Sequence, residues 1–274
     1  VPVPHLHLQL RPRVFAMLLP LRGSCGHTGL IIAHPDDESM FFAPAIASLV
    51  KRGADVFILC LSSGNFYGLG HVRKHEMVKA CGFLGVPEEQ VEIVEHPELQ
   101  DGSTVPWPAE MIASLVAAFV EKRQLRKLLT FDELGVSGHP DHRAVHRGVL
   151  QYAAQHCSGS PPQQQLLPSP PPPPSLPCGR TGGAHPGPAV LLLETTNILR
   201  KYSGALDWLW SRATSPGPSI ALNLDPRQAW HAMAAHRSQF VWYRRLFVVF
   251  SRYAYVNTFR EAFHHPLSPS PPPP

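Results

Sequence analysis

The apolar run Leu30-Ile31-Ile32 gives way abruptly to Ala33-His34-Pro35-Asp36-Asp37-Glu38, and this change of character constrains the chain more than any other stretch. A short β-branched run closed by a proline reads as a buried strand leaving into a loop. In open α/β sheets, ligands bind at the carboxyl ends of such strands. Here that end carries one imidazole and three carboxylates within five residues. Grouped carboxylates repel one another unless a cation, a proton or solvent offsets their charge. Imidazole nitrogen beside carboxylate oxygen suits a divalent ion such as zinc. The alternative is a solvated acidic helix N-terminus, whose carboxylates complement the helix dipole.

A second stretch tips the balance. Gly138-His139-Pro140-Asp141-His142 follows another candidate strand, residues 127–131, and a short loop, 132–137. Two histidines with an aspartate between them, again just past a strand, supply the other half of a metal site. A catalytic zinc takes three protein ligands and leaves one position open for water. The spacing predicts that His34, Asp36, Asp37, His139 and His142 converge, but not which does what. Asp36 and Asp37 are adjacent and point in different directions, so one can bind the ion while the other faces its water.

The rest of the chain alternates strand and helix signals, which predicts an α/β fold. Helical spacing of Phe42, Ile46, Leu49 and Val50 predicts a helix over 40–52, stopped by Gly53. Residues 56–61 form a second buried strand, and a strand–helix–strand unit implies parallel pairing. Ser62-Ser63-Gly64-Asn65 is a small-residue turn on the same rim. A helix over 72–84 buries Met77, Ala80, Cys81 and Leu84, with Arg73 and Glu76 spaced as a surface ion pair. A strand at 91–94 leads into a loop with Glu98 and Asp101, read as solvated. Pro108 opens a helix to Arg123. A helix over 141–154 buries Val145, Val149 and Tyr152 and shows His146 on its surface. Strands follow at 190–194 and, as an edge, at 219–224. Asp225 caps a helix that carries His236-Arg237-Ser238-Gln239 and continues towards Tyr255. Its end mixes Trp242, Tyr243, Phe247 and Phe250 with Arg244, Arg245 and Arg252, which fits a membrane interface, a core-packed helix, or both.

Composition enters where it excludes something. A net charge of +4 without a Lys/Arg block argues against nucleic acid as a partner. The five cysteines are odd in number and lack paired spacing, which fits a reduced compartment. Residues 1–27 lack periodicity and read as poorly ordered. Between 158 and 188 there are eleven prolines, too many for a core, so this reads as a disordered insertion. It is either a partner-binding linker or foreign sequence such as a translated intron. A Pro-rich tail occupies 260–274. Segments 28–157 and 189–259 are therefore expected to form one domain. The best N-terminal candidate for a membrane segment, residues 14–21, is about eight residues long, far short of the roughly 20 a span requires.

The pair of motifs resembles the LmbE-like, or PIG-L, family of metal-dependent de-N-acetylases. Thr130-Phe131-Asp132, Gly135-Val136-Ser137-Gly138-His139, Asn197-Ile198-Leu199-Arg200-Lys201-Tyr202, and His236 to Gln239 running on to Ser251-Arg252-Tyr253 are similar to its eukaryotic branch. The resemblance covers about residues 29–155 and 190–258. It implies a Rossmann-like, mostly parallel sheet with helices on both faces. It implies zinc or another divalent metal held by His34, Asp37 and His142, with Asp36 as general base. It assigns His139 to stabilising the oxyanion or protonating the leaving amine, with Asp141 orienting it, and Arg73 with Glu98 or Asp101 to contacting substrate. The implied substrate is the glycolipid N-acetylglucosaminyl-phosphatidylinositol of GPI-anchor synthesis, at the cytosolic face of the endoplasmic reticulum membrane. Eukaryotic members generally begin with a membrane anchor, a pattern from which residues 1–27 depart. The alternatives are a metal-binding member without turnover, a metal phosphoesterase, and a bacterial-type sugar-conjugate amidase.

Overall fold

The structure, a computed structural model, describes residues 26–156, 187–214, 219–223, 225 and 227–262. Residues 1–25, most of the Pro-rich insertion, Cys25, Cys157, Cys178 and the tail beyond 262 lie outside the described residues. In chain order the elements are β1 (Thr28–Ile32), α1 (Asp37–Met40), α2 (Ala43–Lys51), β2 (Val56–Cys60), α3 (Gly70–Leu84), β3 (Val91–Ile93), α4 (Ala109–Arg123) and β4 (Lys127–Phe131). They continue with α5 (Gly135–Gly138), α6 (Pro140–His156), β5 (Ala189–Leu193), α7 (Ile198–Lys201), α8 (Asp207–Thr214), β6 (Ser219–Leu222), α9 (Arg227–Ala235), α10 (Trp242–Phe250) and β7 (Val256–Glu261).

One seven-stranded sheet results, in the order β3-β2-β1-β4-β5-β7-β6. The first five strands are mutually parallel, and β7 runs antiparallel to both β5 and β6. β1 and β2 are buried along their whole length, as parallel strands covered on both faces must be. Helix α4 packs on α6, and α3 packs on α9 and α2. The strand order reverses direction between β1 and β4, and a crevice opens beyond their carboxyl ends at such a switch point. Both motifs leave the sheet there. β5, on the far side of the Pro-rich insertion, pairs with β4 over five residues, so both segments share one sheet.

The differences from expectation are local and physical. The helix expected over 40–52 begins only at Ala43, because Pro44 sits in the first turn of α2; Met40 ends α1, and Phe41 and Phe42 lie between the two helices. Gly26 and His27 are not irregular: the His27 carbonyl accepts the Arg126 N–H at 3.0 Å, directly before β1. The helix expected to run past Gln239 stops at Ala235, a separate α10 follows, and the chain then forms β7. Arg260 and Glu261, assigned to the tail, belong to that strand. Within β7, buried Asn257 accepts the Ala45 N–H at 3.0 Å and donates to the Phe41 carbonyl at 2.8 Å. It thereby satisfies two backbone groups at the break between α1 and α2. Replacing Asn257 by Ala strands both, at about 1–3 kcal/mol each. Urea unfolding is expected to show a loss of about 2–6 kcal/mol.

Candidate active site

The loop after β1 reverses sharply, and Asp36 sits at φ 120°, a region most side chains avoid. Such a residue costs about 1–3 kcal/mol unless its surroundings hold it. Three contacts hold it. The Glu38 carboxylate accepts the Asp36 N–H at 3.0 Å. Asp37 Oδ2 accepts the N–H groups of Ala33 and His34, at 3.1 and 2.9 Å. Arg73, reaching over from α3, donates Nη2 to the Pro35 carbonyl at 2.7 Å. Arg73 also donates Nη1 to the Gly64 carbonyl at 2.9 Å. A Cβ at Gly64 would lie 2.3 Å from that nitrogen, and φ there is +67°, so the position admits only glycine. Arg73 and Glu76 are thus not a surface pair. Both are buried, and Glu76 instead accepts the Ser238 N–H at 2.9 Å and its hydroxyl at 2.6 Å.

The second motif arrives on α5 and the start of α6. His142 Nδ1 lies 3.0 Å from the Gly135 carbonyl, so it carries a proton and donates. The ring stacks on Phe131 at 4.1 Å, and its Nε2 faces Asp37 Oδ1 at 3.2 Å. In the neutral ring that leaves a nitrogen lone pair against a carboxylate oxygen. A proton or a cation between them relieves the repulsion. Burial pushes the Asp37 carboxyl up, but the charge and hydrogen bond of His142, and then His34, hold it well below the usual carboxylate range. His34 Nε2 donates to Asp141 Oδ2 at 2.9 Å and lies 3.4 Å from Asp101 Oδ1. Desolvation lowers its pKa, yet the Asp141 hydrogen bond and the charges of Asp37 and Asp101 raise it overall. The Asp141 N–H is 3.3 Å from His139 Nδ1, which places the neutral ring's proton on Nε2. His139 is the half-exposed member, and burial followed by the charges of His34 and His142 lowers its pKa.

All the predicted central residues therefore meet at one place. Ring nitrogens of His34, His139 and His142 lie within 4.8 Å of one another, as do donor atoms of His34, Asp101 and Asp141. Asp37 joins through its contact with His142. Mixed imidazole and carboxylate donors of this kind fit a divalent ion. Asp101, expected in a solvated loop, is 14% exposed and pairs with Arg73 Nη1 at 3.4 Å, whereas Glu98 points to solvent. His146 is buried rather than on the surface, and bonds the Phe131 carbonyl at 3.0 Å.

Two residues named in the sequence, but given no role there, also take part. Arg244 of α10 places Nη1 2.8 Å from Asp36 Oδ2, a charge contact lacking hydrogen-bond geometry. Burial pushes the Asp36 carboxyl up despite Arg244 and Arg73 nearby. His236, at the end of α9, meets Glu38 Oε1 at 2.6 Å, and both side chains are fully buried. Only the fold, joining positions 198 residues apart, reveals that pair. Burial lowers the His236 pKa, but the Glu38 charge and hydrogen bond, then Asp36 and Glu76, raise it overall. A raised folded-state pKa contributes stability that is complete below the unfolded value of about 6.5 and fades as pH rises through the folded value. Urea unfolding across that range is expected to show this slope in the native chain, and a flatter one in His236→Gln.

Comparison with known proteins supplies the remaining observations. A family model described as PIG-L, GlcNAc-PI de-N-acetylase, matches residues 30–153. An N-acetylglucosaminyl-phosphatidylinositol de-N-acetylase of Bos taurus is 36% identical over 239 residues, which is 87% of this chain and 84% of that protein. The enzyme of the same name from Saccharomyces cerevisiae is 29% identical over 263 residues, covering 84% and 79%. Among solved structures, the N,N'-diacetylchitobiose deacetylase of Pyrococcus horikoshii superposes with a TM-score of 0.59 at 18% identity, over 86% of this chain and 83% of that one.

Proposed function

This chain belongs to the PIG-L family of GlcNAc-PI de-N-acetylases, and from that premise we propose that it hydrolyses the acetamide of N-acetylglucosaminyl-phosphatidylinositol in GPI-anchor biosynthesis. The observation that carries the reading is the meeting of both motifs at the switch point, with Asp36, Asp37, His139 and His142 around one crevice. The metal ligands in this reading are His34, Asp37 and His142, and the ion is zinc. When bound, such an ion acts as a Lewis acid towards the amide carbonyl and lowers the pKa of water. Asp36 takes the proton from the attacking water. Its raised pKa suits a general base, which works best near the operating pH. His139, with its proton on Nε2 and open to solvent, donates to the developing oxyanion or delivers a proton to the departing amine. Asp141 fixes the orientation of His139 through its backbone N–H and that of His34 through its carboxylate. Asp101 stands at the rim where a sugar hydroxyl would enter.

The substrate is a lipid, so the enzyme works at a membrane surface, here assigned to the cytosolic face of the endoplasmic reticulum. Among the described residues no helix is long and apolar enough to cross a membrane. Exposed Leu199 and Tyr202 around α7, Leu209 and Trp210 on α8, and Trp242 and Phe250 on α10 suit an interfacial contact instead. Two experiments test these readings. Asp36→Asn is expected to keep bound metal while acetate release from N-acetylglucosaminyl-phosphatidylinositol falls about 100- to 10,000-fold. His142→Ala is expected to lose the metal. A native chain that binds metal but releases no acetate would refute the assigned reaction. Trp242→Ser together with Leu199→Ser is expected to reduce co-sedimentation with phosphatidylinositol vesicles several-fold, and unchanged binding would move the membrane contact elsewhere.

A further inference from the structure

Two guanidinium groups meet at Asp36, and they are held differently. Arg73 is committed, with Nη1 and Nη2 on the Gly64 and Pro35 carbonyls and only 7% of its side chain exposed. Arg244 is 20% exposed, and among the described residues its hydrogen bonds and ion pairs all pass through Nη1. They go to Gln239 Oε1 at 2.6 Å, to the Gln239 carbonyl at 3.2 Å and to Asp36 Oδ2 at 2.8 Å. The last lacks hydrogen-bond geometry and leaves Oδ2 without a hydrogen-bond partner among the described residues. A guanidinium has five donors in a planar fork that matches a phosphate bidentately. Arg244 therefore retains donors that no described residue takes, on a side chain that is 20% exposed. It is also carried by α10, the helix whose Trp242, Tyr243 and Phe250 are exposed. The guanidinium thus stands between the catalytic carboxylates and the surface a lipid substrate approaches.

We propose that Arg244 reads the phosphodiester of the substrate, trading its poorly directed contact with Asp36 for a bidentate one with phosphate when the glycolipid seats. The inference rests on the substrate assigned above. It makes Arg244 a specificity residue, distinct from Arg73, whose two terminal nitrogens are held by backbone carbonyls and whose side chain is buried. Gln239, bonded to the same Nη1, holds the guanidinium over Asp36 until an anion arrives.

The test uses two soluble substrates without acyl chains, so that membrane binding does not enter. One is the deacylated glycolipid, N-acetylglucosaminyl-glycerophosphoinositol, and the other is N-acetylglucosaminyl-inositol, which lacks the phosphate. The native enzyme is expected to favour the first by about tenfold or more in kcat/KM, mainly through KM, the size of one charge-assisted hydrogen bond. Arg244→Gln is expected to abolish that preference while acting on the phosphate-free substrate, and Arg244→Lys to retain part of it. An equal fall on both substrates would mean that Arg244 only positions Asp36, and would overturn the proposal. Calorimetric binding of glycerophosphoinositol and of inositol to the native chain gives an answer independent of turnover and of any variant's folding. Equal affinity for the two overturns the proposal. Tighter binding of the phosphodiester without acetate release sustains it and overturns the assigned reaction instead.

Discussion

The buried Asp37 carboxylate is the contact on which the site is built. It draws two consecutive N–H groups, those of Ala33 and His34, inward at the end of β1, and this bends the chain back over the strand. The bend forces the unusual backbone of Asp36. On its other side Asp37 faces His142, whose ring is fixed by the Gly135 carbonyl and by stacking on Phe131. An uncompensated carboxylate in such a place would be costly. Its lowered pKa records that nearby positive charge outweighs burial.

The loop that Asp37 bends is closed by segments far along the chain. Asn257 of β7 fills the break between α1 and α2, His236 meets Glu38, and Ser238 meets Glu76. The sheet explains how they arrive. β7 turns antiparallel beside β5, and the α9–α10 region before it lies over α3 and the acidic loop. The stretch matched by the family model, residues 30–153, carries the residues we assign to catalysis, and the remainder supplies the wall that holds them.

Much of this was legible in the sequence because it depends on local pattern. Apolar runs gave the five parallel strands, and a proline with grouped carboxylates marked where the first one ended. The break at Phe41-Phe42 was missed, because the apolar spacing of Phe42 and Ile46 outweighed Pro44, a helix-start signal. β7 was harder: buried Asn257 and Thr258 interrupt its apolar character, so neither period appears. Arg73 looked like half of a surface pair because its true partners are backbone carbonyls of two other loops. Glu38, His236 and Arg244 all stand in stretches the sequence marks, but nothing local pairs His236 with Glu38 or Arg244 with Asp36. Their meaning lies in contacts that only the tertiary fold creates.

The charge balance explains why such distant cations matter. Asp36, Asp37, Glu38, Asp101 and Asp141 all converge on the crevice. At physiological ionic strength charges are felt over about 8 Å, and less screening occurs where water is excluded. An anionic lipid headgroup approaching five carboxylates would be repelled unless positive charge met it first. Arg73 lies too deep to do so, buried with both terminal nitrogens on backbone carbonyls. The outer cations are those of the C-terminal region: Arg244 over Asp36, Arg245 against Phe240, and Lys201 over Phe247. They stand beside the exposed aromatic side chains of α10, so one surface offers apolar contact and positive charge together. A carboxylate-rich hydrolytic centre is compatible with an anionic lipid because the helix at its mouth carries both.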